Sequence, residues 1–129
     1  MEVKNILDLP IPGSGCGDVR FCFDNAGVLL EFEFRKNGKD WIGGIHFDWV
    51  TAFRFRDEYR SLGYANGSYD ALVEILNSEW IAELKRNEPK GKMGLEDAHH
   101  FAVFLSSNGY FEIITKAFAI RPEREGMLN

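Results

Sequence analysis

The dipeptide Asn37-Gly38, set between two runs of alternating apolar residues, constrains this chain more than any other feature. Asn-Gly tolerates the positive backbone torsions of a two-residue hairpin turn whose twist matches that of the strands it joins. With these two residues as the turn, Phe34 faces Trp41, Phe32 faces Gly43, Leu30 faces Ile45 and Val28 faces Phe47. That face has no polar side chain. The other carries Leu29, Glu31, Glu33 and Arg35 against Asp40, Ile42, Gly44 and His46. A one-residue slip would exchange the two faces, so turn chemistry and side-chain polarity specify the same register.

The same alternation extends outward. In Asp18–Asp24, Val19, Phe21 and Phe23 alternate with Arg20, Cys22 and Asp24, and in Val50–Glu58, Thr51, Phe53 and Phe55 alternate with Ala52, Arg54 and Arg56. Both read as strands. Ser78 followed by Glu79, with Lys85 and Arg86 seven and eight residues after Ser78, matches the cap and charge preferences of a helix over about Ser78 to Arg86. Trp80, Ile81 and Leu84 are its expected buried side. An extended segment is expected near Ala71 to Ile75, and Pro89, Gly91 and Gly94 mark a loop. A second Asn-Gly, Asn108-Gly109, predicts a hairpin pairing Phe104 with Ile113, Ala102 with Thr115, His100 with Ala117, Leu105 with Glu112 and His99 with Phe118. Both of its faces are largely apolar, as in a strand pair covered on both sides.

Residues 1–17, with prolines and glycines in "DLPIPGSGCG", read as an irregular lead-in, and residues 121–129 as a polar, mobile tail. The expected fold is α+β: a mainly antiparallel sheet of six to seven strands with one principal helix, in a single domain over residues 1–129. At 129 residues and 45% hydrophobic content, including eleven phenylalanines, such a domain holds a core without metal or disulfide. Cys16 and Cys22 read as two reduced thiols, a bridge between them being the alternative. Met1 to Pro12 lacks the basic start and apolar core of a secretion signal, and no apolar run has membrane-spanning length, so a cytoplasmic location without membrane association is expected. The net charge of −5 argues against nucleic-acid binding and favours a basic protein partner.

Adjacent strand residues point to opposite faces, so His99 and His100 cannot share one metal or substrate. With His46 in another hairpin, no metal site or cofactor is expected, and His100 reads as a buried, hydrogen-bonded strand residue. The glycines of "GSGCG" lead into a strand instead of a helix, unlike a phosphate-binding loop, and no catalytic motif appears, so no catalytic residue is assigned. Glu31, Glu33, His46, Arg54 and Arg56 form a candidate charged binding face, a solvated sheet face being the plainer alternative. Ser78, Trp80 and His100 are candidate structural polar positions. Aromatics at period two read mostly as core, although a small sheet with one helix cannot cover both its faces and leaves some aromatic surface exposed.

Three segments, "FDWVTAFRFRDE" (Phe47 to Glu58), "LVEILNSEW" (Leu72 to Trp80) and "HFAVFLSSNGYFEII" (His100 to Ile114), together resemble small bacterial domains similar in type to the immunity proteins of polymorphic toxin systems. The resemblance implies a non-enzymatic protein that neutralises a toxin by direct binding, with Ser78, Glu79, Trp80 and His100 at matching positions. Two other readings stand beside it: a small-molecule-binding domain or small enzyme with an aromatic pocket and a histidine, and a structural homodimer joined through a strand edge.

Overall fold

The computed structural model describes residues 2–58, 60, 69–89 and 94–128. Its elements in chain order are β1 (Glu2–Asp8), β2 (Val19–Asp24), β3 (Gly27–Lys36), β4 (Lys39–Asp48), β5 (Ala52–Arg56), β6 (Ala71–Leu76), helix α1 (Glu79–Arg86), β7 (His99–Leu105), β8 (Gly109–Thr115) and β9 (Ala117–Glu125). The strands form two antiparallel sheets, one in the order β1-β6-β7-β8-β5 and the other β2-β3-β4-β9. The mainly antiparallel architecture with one helix follows the sequence expectation. Nine strands among the described residues replace the six or seven expected, and they divide into two sheets instead of one.

The sheets pack face to face. Val28, Leu30, Phe32, Phe34, Ile45 and Phe47 from one meet Leu72, Phe101, Val103, Leu105 and Ile113 from the other in a single core. Each fully buried side chain of this size contributes roughly 1.5–3 kcal/mol by leaving water. The β3–β4 register is the one the Asn37-Gly38 turn predicts, from Val28 opposite Phe47 to Lys36 opposite Lys39. Asn37 and Gly38 take φ of 55° and 73°, as that turn requires. The outer face of the five-stranded sheet carries its own smaller cluster, with Val73, Ile75, Ala102, Phe104 and Tyr110.

Four expectations are corrected. First, the β7–β8 loop holds three residues, Ser106 to Asn108, so Leu105 pairs with Gly109, Val103 with Phe111, Ala102 with Glu112 and His100 with Ile114. Ser107 takes the left-handed turn (φ 67°) and Gly109 follows at φ 144°. Because both faces are apolar, no polarity penalty opposed this slip. Second, the hairpin does not reach Ala117 and Phe118, because the chain leaves one sheet for the other after Thr115; Phe118 pairs with Phe47. Third, the lead-in contains β1, an edge strand paired with β6 through a bulge between Asn5 and Leu7. Fourth, the tail is not free: β9 runs to Glu125 along β4, with Pro122 at a bulge where a missing amide costs no ladder bond, and the Leu128 amide donates to Glu33 Oε2 at 2.6 Å.

Ser78 caps α1 as expected, its Oγ accepting from the Ile81 amide at 3.1 Å. Trp80, Ile81 and Leu84 are half-buried, and no residue of the helix is fully buried. Ala71–Leu76 is the extended segment expected near Ala71 to Ile75. Of the expected loop residues, Gly91 lies outside the described residues. Both cysteines are free thiols, and burial, with Asp70, Glu33 and Asp18 nearby, pushes Cys16 up to about 12, far from a reactive thiolate. No helix of the described residues is long and apolar enough to cross a membrane.

Candidate functional site

Among the described residues strand β5 lies at an edge of its sheet, paired only with β8, and its alternation directs Arg54 and Arg56 to one face and Phe53 and Phe55 to the other. The two faces build two different features. On the arginine side, Arg54 stands opposite Glu112, and the β7–β8 register brings His100 diagonally next to the same carboxylate. Arg54 donates from Nε to Glu112 Oε2 at 2.9 Å and from Nη2 to Oε1 at 3.0 Å. Arg56 Nη2 lies 3.7 Å from Oε2, and His100 Nε2 is 2.8 Å from Oε1. Burial alone would push the Glu112 carboxyl up, but the hydrogen bonds from His100 and Arg54 and their charges prevail and hold it at about 2.

An ionised carboxylate only accepts, so His100 Nε2 carries the hydrogen in that bond. The Ser78 hydroxyl lies 2.7 Å from the other ring nitrogen, Nδ1, and accepts from the Ile81 amide. The Trp80 ring closes the assembly, edge-on to His100 at 5.4 Å and under the Arg54 guanidinium at 3.9 Å. Ser78, Trp80 and His100, expected as structural polar positions, thus converge on one network, and Arg54, Arg56 and Glu112 complete it.

The order hydroxyl, imidazole, carboxylate resembles that of an acyl-transfer triad. Three observations argue against that use. His100, Glu112, Arg54 and Trp80 line a cleft of about 650 Å³, but Ser78 is not among its lining residues. The Ser78 oxygen also holds the helix cap, and a bidentate guanidinium on Glu112 weakens the carboxylate that would stabilise a charged imidazole. The chain of bonds fastens α1 to the sheet.

His99 contacts Glu74 at 2.7 Å and His46 contacts Asp48 at 3.2 Å, so each histidine has its own carboxylate neighbour. Among the described residues no group of three metal-ligating side chains comes together.

Glu31, Glu33, Arg54 and Arg56 do not share a surface. The arginines belong to the five-stranded sheet and the glutamates to the other, where Glu31 is 4% and Glu33 9% exposed. Arg20 grips Glu31 from β2 at 2.6 Å and Arg124 from β9 at 3.0 Å. Although burial opposes it, these bonds and charges lower the Glu31 carboxyl. Glu33 accepts from the amides of Asp18 and Leu128. Neither glutamate is solvated as its strand alternation suggests, because Arg20 and Arg124 close on Glu31 and the Asp18 and Leu128 amides on Glu33.

The phenylalanine side of β5 forms the second feature. Phe53 packs against Phe21 and Phe23 of β2 with ring centroids 5.0 and 5.3 Å apart, and Phe55 against Phe111 at 4.9 Å. Phe21, Phe53, Phe55 and Phe111 line an apolar cleft of about 430 Å³ where the β2 and β5 edges meet. Phe23 continues into a neighbouring cleft shared with Trp49. Phe23 is 59% exposed, Phe53 42%, Phe55 56% and Trp49 78%. Period-two aromatics pointed to core, yet these four form a belt in water, Phe23 touching Phe53, Phe55 joined to them through Phe111 and Phe21, and Trp49 sharing a cleft with Phe23. Alternation of phenylalanine with arginine in β5, without a simple polar face, was the available signal. Comparison with known protein families, curated proteins and solved structures found no match.

Proposed function

We propose that this is a non-enzymatic partner-binding protein whose docking surface is the aromatic belt of Trp49, Phe23, Phe53 and Phe55. The exposure of four linked aromatic side chains carries this reading. Leaving such rings in water forgoes burial energy, and surfaces of this kind supply the anchor residues of protein interfaces. Arg54 and Arg20, each about half-exposed beside the belt, add the residue type most enriched with aromatics at interface centres. The net charge of −5 would speed encounter with a basic partner.

The resemblance to immunity proteins makes a toxin the partner to test first. The protein would be co-expressed with the product of the adjacent reading frame. Growth rescue and co-purification are expected with the parent chain and lost in a Phe23→Ser, Phe55→Ser variant that remains folded. A complex insensitive to both substitutions would move the docking surface elsewhere, and no rescue and no complex would end the immunity version.

A further inference from the structure

We infer that the partner docks by adding an extended strand to the open edge of β5, with apolar side chains over the phenylalanines and acidic side chains toward the arginines; this rests on the belt being the docking surface. The observation behind it is an asymmetry in how the molecule protects its strand edges. Among the described residues the two sheets leave four edges, β1 and β9 along one seam and β2 and β5 along the other. Unpaired edges invite strand addition, and natural sheets guard them with bulges, proline or lysine. The first seam has all three: Lys4 and the Asn5/Leu7 bulge in β1, and Pro122 with its own bulge in β9. The second has none. β2 pairs with β3 over six consecutive residues and β5 with β8 over five, both without a register shift, and neither strand contains proline or lysine. The edges without bulge, proline or lysine are also the ones that carry the aromatic belt.

An edge strand turns the amide and carbonyl of alternate residues outward, so the complementary occupant is backbone in extended form. Charge chooses between occupants. The charged side chains within β2 and β5 are Arg20, Arg54 and Arg56, with Asp24 at the end of β2. The carboxylates Glu31 and Glu112 are buried, while the guanidiniums of Arg20 and Arg54 that bind them are about half-exposed. A second copy pairing through β5 would set arginine against arginine, which disfavours self-addition. A strand alternating apolar and acidic residues meets rings on one face and the half-exposed Arg54 guanidinium on the other.

The probe is a short peptide alternating isoleucine and glutamate, beside the same peptide with lysine for glutamate, titrated into isotope-labelled protein. Saturable binding is expected, with shifts and slowed exchange at alternate β5 amides, about tenfold weaker for the lysine peptide. N-methylation of one alternating set of peptide amides should abolish binding and of the other set leave it intact. No saturable binding, equal binding of both peptides, or indifference to both methylation patterns overturns strand addition, as does self-association through β5 at rising protein concentration. In a complex with the adjacent gene product, loss of binding in the Phe23→Ser, Phe55→Ser variant without protection of β5 amides would retain the docking surface and reject the added strand.

Discussion

Replacing Glu112 with glutamine leaves the Arg54 guanidinium and the His100 ring facing a neutral amide at the centre of a buried network. Losing the charge from such a pair is expected to cost about 2–3 kcal/mol at neutral pH, measured as a shift in the denaturant midpoint with unchanged slope. The same residue sets a pH dependence. Its folded carboxyl sits at about 2, below the ordinary 4.5, so its contribution is fully present above that ordinary value and is lost as pH falls from about 4.5 toward 2. The wild-type chain should lose about 3 kcal/mol more than the Glu112→Gln variant across that window, read from unfolding curves at successive pH values. Glu112 escaped the sequence reading although its partners Arg54 and His100 did not. The two-residue turn put it opposite Leu105, and only the three-residue loop carries it to the face of His100.

Helix α1 has eight residues, too few to persist in water without its cap and its contacts with the sheet. Ser78→Ala removes the cap and the hydroxyl bound to His100 together. A loss of about 1–2 kcal/mol is expected, with hydrogen exchange in Glu79–Arg86 accelerating before that in β3 and β4. In the β3–β4 hairpin the sensitive position is Gly43. The Phe32 ring lies across it, and an added Cβ would meet ring carbons at 2.7 Å. Gly43→Ala is therefore expected to destabilise by about 1–3 kcal/mol through overpacking, measurable by thermal denaturation, although alanine suits a strand better than glycine. That hairpin was legible because its two faces differ in polarity and its turn admits few geometries. β1 and β9 were not, because bulges, a proline and alternating charges remove the period-two signal from guarded edges. The features that protect those strands from unwanted pairing also concealed them.

At the scale of the molecule, the belt and the polar network lie on opposite faces of β5, so one short strand connects the docking surface to the anchor of α1. Substitutions at the belt should separate binding from stability. Phe55→Ser alters a side chain that is 56% exposed, and is expected to change unfolding free energy by no more than about 1 kcal/mol. Partner affinity should fall by about thirtyfold or more if Phe55 is an anchor, as titration calorimetry of the complex would show. The whole was less legible than its parts. Alternation identifies the faces of a strand, but allocating strands to two sheets depends on where the chain crosses between them, and those crossings carry no periodic signal.

Two of the three crossings are tied together. The Thr115 hydroxyl donates to the Asp48 carbonyl, the Thr51 amide to Ile114 and the Lys116 amide to Asp48, joining the link from β4 to β5 with the link from β8 to β9. The consequence is one of timing. The four-stranded sheet is finished only by β9, after the five-stranded sheet's own strands have been made, so the four-stranded sheet cannot mature as an independent unit during synthesis. A nascent chain stalled before Ala117 should present the edge of β4 and remain sensitive to protease, and release of the remaining strand should convert both sheets to resistance in one step. Refolding should be correspondingly slow, on the order of milliseconds to seconds, because strands such as β4 and β9 meet only after a long loop has closed.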